Sequence, residues 1–74
     1  MLQIYSNIKT RRKQLGYTQT ELAKKLGYAD KSMIAKIEKG QVDLSQSKIM
    51  AFAKALETTA SVLMGDDGNK SYSP

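Results

Sequence analysis

The chain has 74 residues, which is enough for one domain, and a domain this small must bury a large share of its apolar side chains. It has no cysteine and no histidine, so disulfides and the common zinc sites are excluded as sources of stability. The net charge is +5, and it is uneven: residues 1–41 hold nine Lys or Arg against three Asp or Glu, whereas residues 42–74 hold three against four. A local excess of positive charge favours a polyanionic partner, either nucleic acid or an acidic membrane surface.

The first ten residues, MLQIYSNIKT, lack the apolar segment of a signal peptide. No stretch of the sequence reaches the roughly 18–20 apolar residues that a membrane span needs. A membrane-surface helix would carry bulky aromatic residues opposite a basic face, and the first helix offers only Tyr5. We therefore expect a soluble, unprocessed, cytoplasmic protein that binds no membrane.

The sequence also lacks the usual elements of a catalytic site. It has no phosphate-binding glycine loop, and its carboxylates are scattered over positions suited to helix caps, ion pairs and solvent. We therefore expect no enzymatic activity, no metal and no small-molecule cofactor.

The spacing of apolar residues predicts the first two helices. Residues four and seven positions apart place one helix between Ile4 and Leu15, and Gly16 ends it. Thr18 followed by Glu21 is the pattern of a capping box, which starts a second helix. That helix carries three apolar residues on its buried side and ends at a glycine: Leu22, Ala23, Leu26 and Gly27.

Three more helices follow. Asp30 is placed to cap a third helix, in which Ile34 and Ile37 form a narrow apolar face and which ends at Gly40. The fourth begins after Leu44 and Ser45 and buries four residues at helical spacing: Ile49, Phe52, Ala53 and Leu56. Thr59 caps a short fifth helix with two apolar residues and a closing glycine: Leu63, Met64 and Gly65. Because no segment alternates with a period of two, the predicted fold is all-α, a compact five-helix bundle.

We assign residues 1–65 to this single domain. Residues 66–74, DDGNKSYSP, are polar and show no period, so we expect a disordered tail or the start of a linker.

The second and third helices have the features of a helix-turn-helix unit. Both are short, and a turn containing Gly27 joins them. Ala23 is small enough for a close helix crossing, and Ile34 with Ile37 anchors the third helix to the core. The outward side chains of the third helix are then free to contact base edges in a DNA major groove.

Two segments carry a resemblance to a known family: LGYTQTELAKKLGYADKSMIAKIEKG and SKIMAFAKALETTASVLMG. Together they resemble the phage Cro and lambda-repressor helix-turn-helix domain over about residues 4–65. The specific parts are Thr-Gln-x-Glu-Leu-Ala, Ile-x-Lys-Ile-Glu-x-Gly and Phe-Ala-Lys-Ala-Leu. The resemblance implies a transcriptional repressor that binds a pseudo-palindromic operator in double-stranded DNA, as a homodimer at least when DNA-bound.

The resemblance also implies which residues contact DNA. Gln19, at the N-terminus of the second helix, contacts a phosphate and an adjacent base; the alternative is a helix-capping role alone. Base edges are contacted from the first turn of the third helix and from one turn further on: Lys31, Ser32 and Lys36. Phosphate contacts follow directly after that helix: Lys39, the backbone amide of Gly40, and Gln41.

The turn before the third helix departs from the family pattern. Between Leu26 and Ile34 this sequence has one residue more than most members carry. The identities of the first base contacts are therefore open by one position among Lys31, Ser32 and Met33. We favour a packing role for Met33, since unpatterned methionines commonly fill gaps in a core.

One ion pair is implied as well. The family joins an arginine on the first helix to a glutamate near the end of the third, and here these are Arg12 and Glu38. The pair would orient the third helix rather than add net stability. The alternative is two unrelated surface charges.

Two other functions fit the same pattern. The first is an antitoxin or adaptor that uses the fold to bind a protein partner, which predicts a large apolar surface patch. We find no such stripe outside the predicted core, although Val62, Met64 and Tyr72 are placed to form a modest dimer contact. The second is the N-terminal domain of a longer, self-cleaving repressor, in which residues 66–74 begin the linker.

Overall fold

Five α-helices follow one another in the computed structural model, which describes residues 3–65. They are α1 (Gln3–Gln14), α2 (Gln19–Leu26), α3 (Ser32–Glu38), α4 (Gln46–Ala55) and α5 (Ala60–Leu63). The described part contains no strand, and the predicted all-α, five-helix fold is confirmed. The tail predicted for residues 66–74 lies outside the described residues.

Side-chain caps start three of the helices, at Thr18 and Thr59 as predicted and also at Ser45. The Thr18 hydroxyl accepts a hydrogen bond from the Glu21 amide at 3.0 Å, and the Glu21 carboxylate accepts one from the Thr18 amide at 2.8 Å. This is a complete capping box at the N-terminus of α2. Ser45 and Thr59 cap α4 and α5 in the simpler way, through their side-chain oxygens. Each cap satisfies a backbone donor that the helix itself leaves unpaired.

The core lies where all five helices meet. Its fully buried large side chains are Phe52, Ile8, Leu22, Ile34, Ile37, Leu56 and Leu63. Burying each of them contributes about 1.5–3 kcal/mol, so the core is the main source of stability in a chain without disulfides. Tyr5 is also buried, which the spacing had not indicated, whereas Leu15, Leu26 and Ile49 are only half-buried at the edge of the core. Met64 was expected on the fifth helix, but it follows the end of α5 and is 44% exposed.

The turn between α2 and α3 packs against the body of the domain. Gly27 has a left-handed backbone with φ of +83°, and the Tyr28 amide then donates to the Ala23 carbonyl at 2.9 Å. The Tyr28 ring is half-buried, and the ammonium of Lys48 on α4 lies 5.6 Å from its centre. The longer turn is thus held by an aromatic contact with α4.

Asp30 caps the start of α3, although Lys31 is the residue that directly precedes the helix. Lys31 already has a helical backbone and makes no side-chain cap. The Asp30 carboxylate accepts a hydrogen bond from the Ser32 amide at 2.8 Å. This bond is the main reason that the pKa of Asp30 lies below its usual value, with the Ser32 hydroxyl and the charge of Lys36 acting in the same direction.

A buried ion pair joins α1 to the end of α3. The Arg12 guanidinium donates to both carboxylate oxygens of Glu38, from Nε to Oε2 at 2.6 Å and from Nη2 to Oε1 at 3.1 Å. The side chains of Arg12 and Glu38 are 9% and 3% exposed. Arg12 Nη1 also donates to the Tyr17 carbonyl at 2.8 Å, which ties the α1–α2 turn to the same group. The implied pair is therefore a bidentate contact inside the domain rather than two surface charges.

Replacing Arg12 by methionine should destabilise the domain strongly. The Glu38 carboxylate would remain buried without its cation, which costs about 3–5 kcal/mol, most of the stability of a typical small domain. Urea unfolding followed by circular dichroism measures the loss. The double variant Arg12→Met/Glu38→Leu should lose less than Arg12→Met alone, because no unpaired charge is left. An equal or larger loss in the double variant would contradict the assigned cause.

The contribution of Asp30 should depend on pH. Because its pKa is lowered in the folded state, the carboxylate stabilises the fold above its unfolded-state pKa, and this contribution is lost as the pH falls through the folded pKa. Asp30→Ala should therefore be less stable than wild type at neutral pH, and the difference should disappear in the acid range. Urea unfolding from pH 7 to pH 2 measures it. A difference that stays constant over this pH range would contradict the role assigned to the Asp30 carboxylate.

Candidate nucleic-acid interface

The three residues assigned to base contacts lie on the outward side of α3 or directly before it. Ile34 and Ile37 are fully buried and fix the helix on the core, while Lys31, Ser32 and Lys36 are all exposed. Ser32 and Lys36 are one turn apart and therefore share a face. Met33 is half-buried against the core, as its favoured packing role requires.

Asp30 changes the chemistry at the start of this face. The amide of Ser32 donates to its carboxylate at 2.8 Å, so this anion is fixed next to Ser32. The positive charge of Lys36 lies close enough to lower the pKa of Asp30. An exposed carboxylate thus lies beside the lysines, and the two exposed ammonium groups of Lys31 and Lys36 are the main donors of the face.

A glycine with a left-handed backbone follows α3 and ends it. Gly40 has φ of +75°, its amide donates to the Ile37 carbonyl at 2.9 Å, and the Gln41 amide donates to the Lys36 carbonyl at 3.0 Å. The Gly40 amide, which was expected to contact a phosphate, thus donates its one hydrogen to the end of α3 in this structure. The side chains of Lys39 and Gln41 are exposed.

Gln19 connects the start of α2 to the end of α3. Its side-chain Nε2 donates to Oε1 of Glu38 at 3.1 Å, and the residue is half-buried. Both residues were predicted functional positions, but a contact between them was not predicted. They are 19 positions apart, and no local pattern indicates such a contact.

Arg11 is a basic residue that the structure places in a structural role. Its Nε donates to the Leu56 carbonyl at 2.9 Å, and its Nη2 donates to the Glu57 carbonyl at 3.1 Å. These carbonyls belong to the two residues that directly follow α4, so the arginine caps the C-terminus of that helix from α1. Glu57 has a left-handed backbone with φ of 57°, and its carboxylate accepts a hydrogen bond from the Tyr17 hydroxyl at 3.2 Å.

The described part of the chain offers neither a metal site nor a membrane-spanning helix. Within residues 3–65, no three acidic, histidine or cysteine side chains are grouped closely enough to hold a metal ion. None of the helices described above is long and apolar enough to span a membrane.

A comparison with protein families matches residues 8–63 to a helix-turn-helix family. The match begins within α1 and ends at the last residue of α5, so it covers the two helices of the unit and the core that supports them. A comparison with curated proteins gave no significant match.

Solved structures with the same fold include several regulators. The P22 c2 repressor, solved with a synthetic operator, is 25% identical with a TM-score of 0.77, over 90% of this chain and 100% of that one. SinR, a master regulator for biofilm formation solved with DNA, is 34% identical with a TM-score of 0.72, over 81% and 95%. The restriction-modification controller protein C.AhdI from Aeromonas hydrophila is 27% identical with a TM-score of 0.76, over 84% and 92%. This chain therefore belongs to the helix-turn-helix family of the Cro and lambda-repressor type, a family of DNA-binding transcriptional regulators.

Proposed function

We propose that this chain is a sequence-specific repressor that inserts α3 into the major groove of a double-stranded operator. The observation that carries the proposal is the way α3 is held. Two isoleucines and the buried carboxylate of Glu38 fix its inner side, while its outer side carries exposed lysines. The P22 c2 repressor and SinR, which share the fold, were both solved with DNA.

Lys36 is the principal base contact in this proposal. It lies in the second turn of α3, and its exposed ammonium is suited to O6 or N7 of guanine. Lys31 and Ser32 contact the neighbouring base pairs from the first turn. Because a serine hydroxyl can both donate and accept a hydrogen bond, Ser32 discriminates less between bases than the two lysines do.

The phosphate contacts flank α3 on both sides. Gln19 lies at the N-terminus of α2, where unpaired backbone amides and the helix dipole favour an anion. Lys39 and Gln41 contact a second phosphate after α3 through their exposed side chains. Gly40 contributes by lacking a side chain, so that the backbone can approach the DNA closely.

Two copies act together on a pseudo-palindromic site. Recognition helices on two half-sites lie one DNA turn apart, about 34 Å. Val62 and Met64, near the end of the described chain, are 42% and 44% exposed and supply an apolar contact between the copies. Tyr72, assigned to the same contact, lies outside the described residues.

A protein-binding adaptor of the same fold is the second candidate. The observation that favours it is the exposure of Met50, Val62 and Met64, three large apolar side chains on the described surface. An adaptor would bind no preferred DNA sequence. Sequence preference in DNA binding therefore distinguishes the two functions.

Selection of bound sites from random double-stranded DNA tests the proposed function directly. The enriched sequences should contain an inverted repeat whose half-site centres are about 10–10.5 base pairs apart, because two copies of α3 must enter the major groove on one side of the DNA. Sequencing of the bound pool measures this. A pool without enrichment would favour the adaptor, and enrichment without a repeat would contradict binding by two copies.

Replacing Lys36 by alanine should relax the preference at one base pair. Loss of a base-specific contact should reduce discrimination there by about 1–3 kcal/mol, while random DNA is affected much less. Binding to the selected site and to its single-base variants, measured by fluorescence anisotropy, gives the discrimination.

Two further lysine variants serve as comparisons for Lys36→Ala. Lys54→Ala removes the same charge from an exposed position on α4 and should leave discrimination unchanged. Lys39→Ala should weaken binding to all sequences alike and reduce the slope of log affinity against log salt by about 0.9. Equal losses on selected and random DNA for Lys36→Ala would remove Lys36 from the base contacts.

A further inference from the structure

We propose that Glu38 is a positioning residue for DNA binding and that its buried carboxylate holds the Gln19 amide between itself and a DNA phosphate. In this arrangement Nε2 of Gln19 donates one hydrogen to Glu38 and the other to the phosphate. The inference rests on the proposed function, since it assigns the mechanism by which one of its phosphate contacts is prepared.

The carboxylate of Glu38 has almost no freedom to move. Oε2 accepts from Arg12 Nε, and Oε1 accepts from both Arg12 Nη2 and Gln19 Nε2, each at 3.1 Å. The side chain is only 3% exposed. Arg12 is itself fixed by its bond to the Tyr17 carbonyl, two residues before Gln19. The acceptor that Gln19 meets is therefore fixed from two sides.

An amide side chain at position 19 can bind both the Glu38 carboxylate and a DNA phosphate. A carboxylate paired with a guanidinium is ionised and can only accept hydrogen bonds, and a phosphate also only accepts them. Two such anions cannot contact each other directly. An amide nitrogen carries two hydrogens and can donate to both, so Gln19 is suited to bridge them, whereas a carboxylate at the same position is not.

The hydrogen bond to Glu38 orders the Gln19 side chain before DNA binds. A glutamine side chain loses considerable rotamer freedom when it becomes ordered. Because Glu38 orders Gln19 in the free protein, this loss occurs on folding and not on binding. Preorganisation of one side chain of this type corresponds to about three- to tenfold in affinity.

A double-mutant cycle between the two residues tests the proposal. Gln19→Met keeps the length of the side chain without the amide, and it should weaken operator binding by about three- to tenfold in the wild-type background. In the Glu38→Gln background, where the fixed ionic acceptor is gone, the same replacement should cost less than about twofold. Anisotropy titrations at one salt concentration, with each variant shown to be folded by circular dichroism, measure the coupling.

The controls separate positioning from general stability. A purely structural role of Glu38 would lower affinity equally with and without the Gln19 amide, and it would leave no coupling. Gln14→Met makes the same chemical change at an exposed glutamine of α1 and should not alter affinity in either background.

A second measurement covers the case in which Glu38→Gln does not fold. In the nuclear magnetic resonance spectrum of the wild-type protein, one side-chain amide proton of Gln19 should exchange with water more slowly than those of Gln46, the exposed glutamine at the first position of α4. Operator DNA should slow the other proton as well. Exchange as fast as that of Gln46 before and after DNA addition would overturn the proposal.

The remaining outcomes are also decisive. Equal costs of Gln19→Met in both backgrounds would show a contact that is independent of Glu38. No cost in the wild-type background would remove Gln19 from the interface, while binding that depends on Lys36 would leave the proposed function in place. Failure of the wild-type protein to bind any double-stranded DNA would overturn both.

Discussion

The buried ion pair between Arg12 and Glu38 is the constraint on which the geometry of the helix-turn-helix depends. A helix of seven residues such as α3 is too short to be stable alone, so its direction is set entirely by what it packs against. Two isoleucines fix its inner face, and the carboxylate at its last residue adds a directional contact that apolar packing cannot supply. Since the same guanidinium also binds the Tyr17 carbonyl, one buried group fixes α1, the α1–α2 turn and α3 together.

Backbone amides at both ends of α3 already donate hydrogen bonds within the protein, and this limits which groups remain for a ligand. At the start, the Asp30 carboxylate accepts the hydrogen bond of the Ser32 amide. At the other end, the amides of Gly40 and Gln41 satisfy carbonyls of the last turn. At the C-terminal end of this helix, the groups left for DNA are therefore side chains rather than these backbone amides. Such side chains are replaceable one at a time, so individual contacts can be altered without disturbing the helix.

The sequence was sufficient wherever a structure depends on neighbouring residues. The caps of Thr18 and Thr59 were predictable because each interaction spans only three positions. The contact of Gln19 with Glu38 was not predictable, because it depends on the crossing of α2 and α3, which no local pattern specifies. The same limit applies to Gly40. The sequence predicted both a helix end and an amide that contacts a phosphate there, but at the helix end this amide donates to the Ile37 carbonyl. The phosphate and base contacts themselves remain predictions.

The use of arginine inside the domain bears on how the proposed interface discriminates between bases. The chain has two arginines, and both guanidinium groups bind protein acceptors: Arg11 binds the end of α4, and Arg12 binds Glu38. The DNA contacts of the proposal therefore fall to lysines and amides. A lysine ammonium is a flexible point charge, whereas an arginine presents a rigid fork that matches the two acceptors of guanine. If the proposed contacts hold, base discrimination would rely on how firmly α3 is oriented, and a large share of the affinity would come from salt-sensitive phosphate contacts.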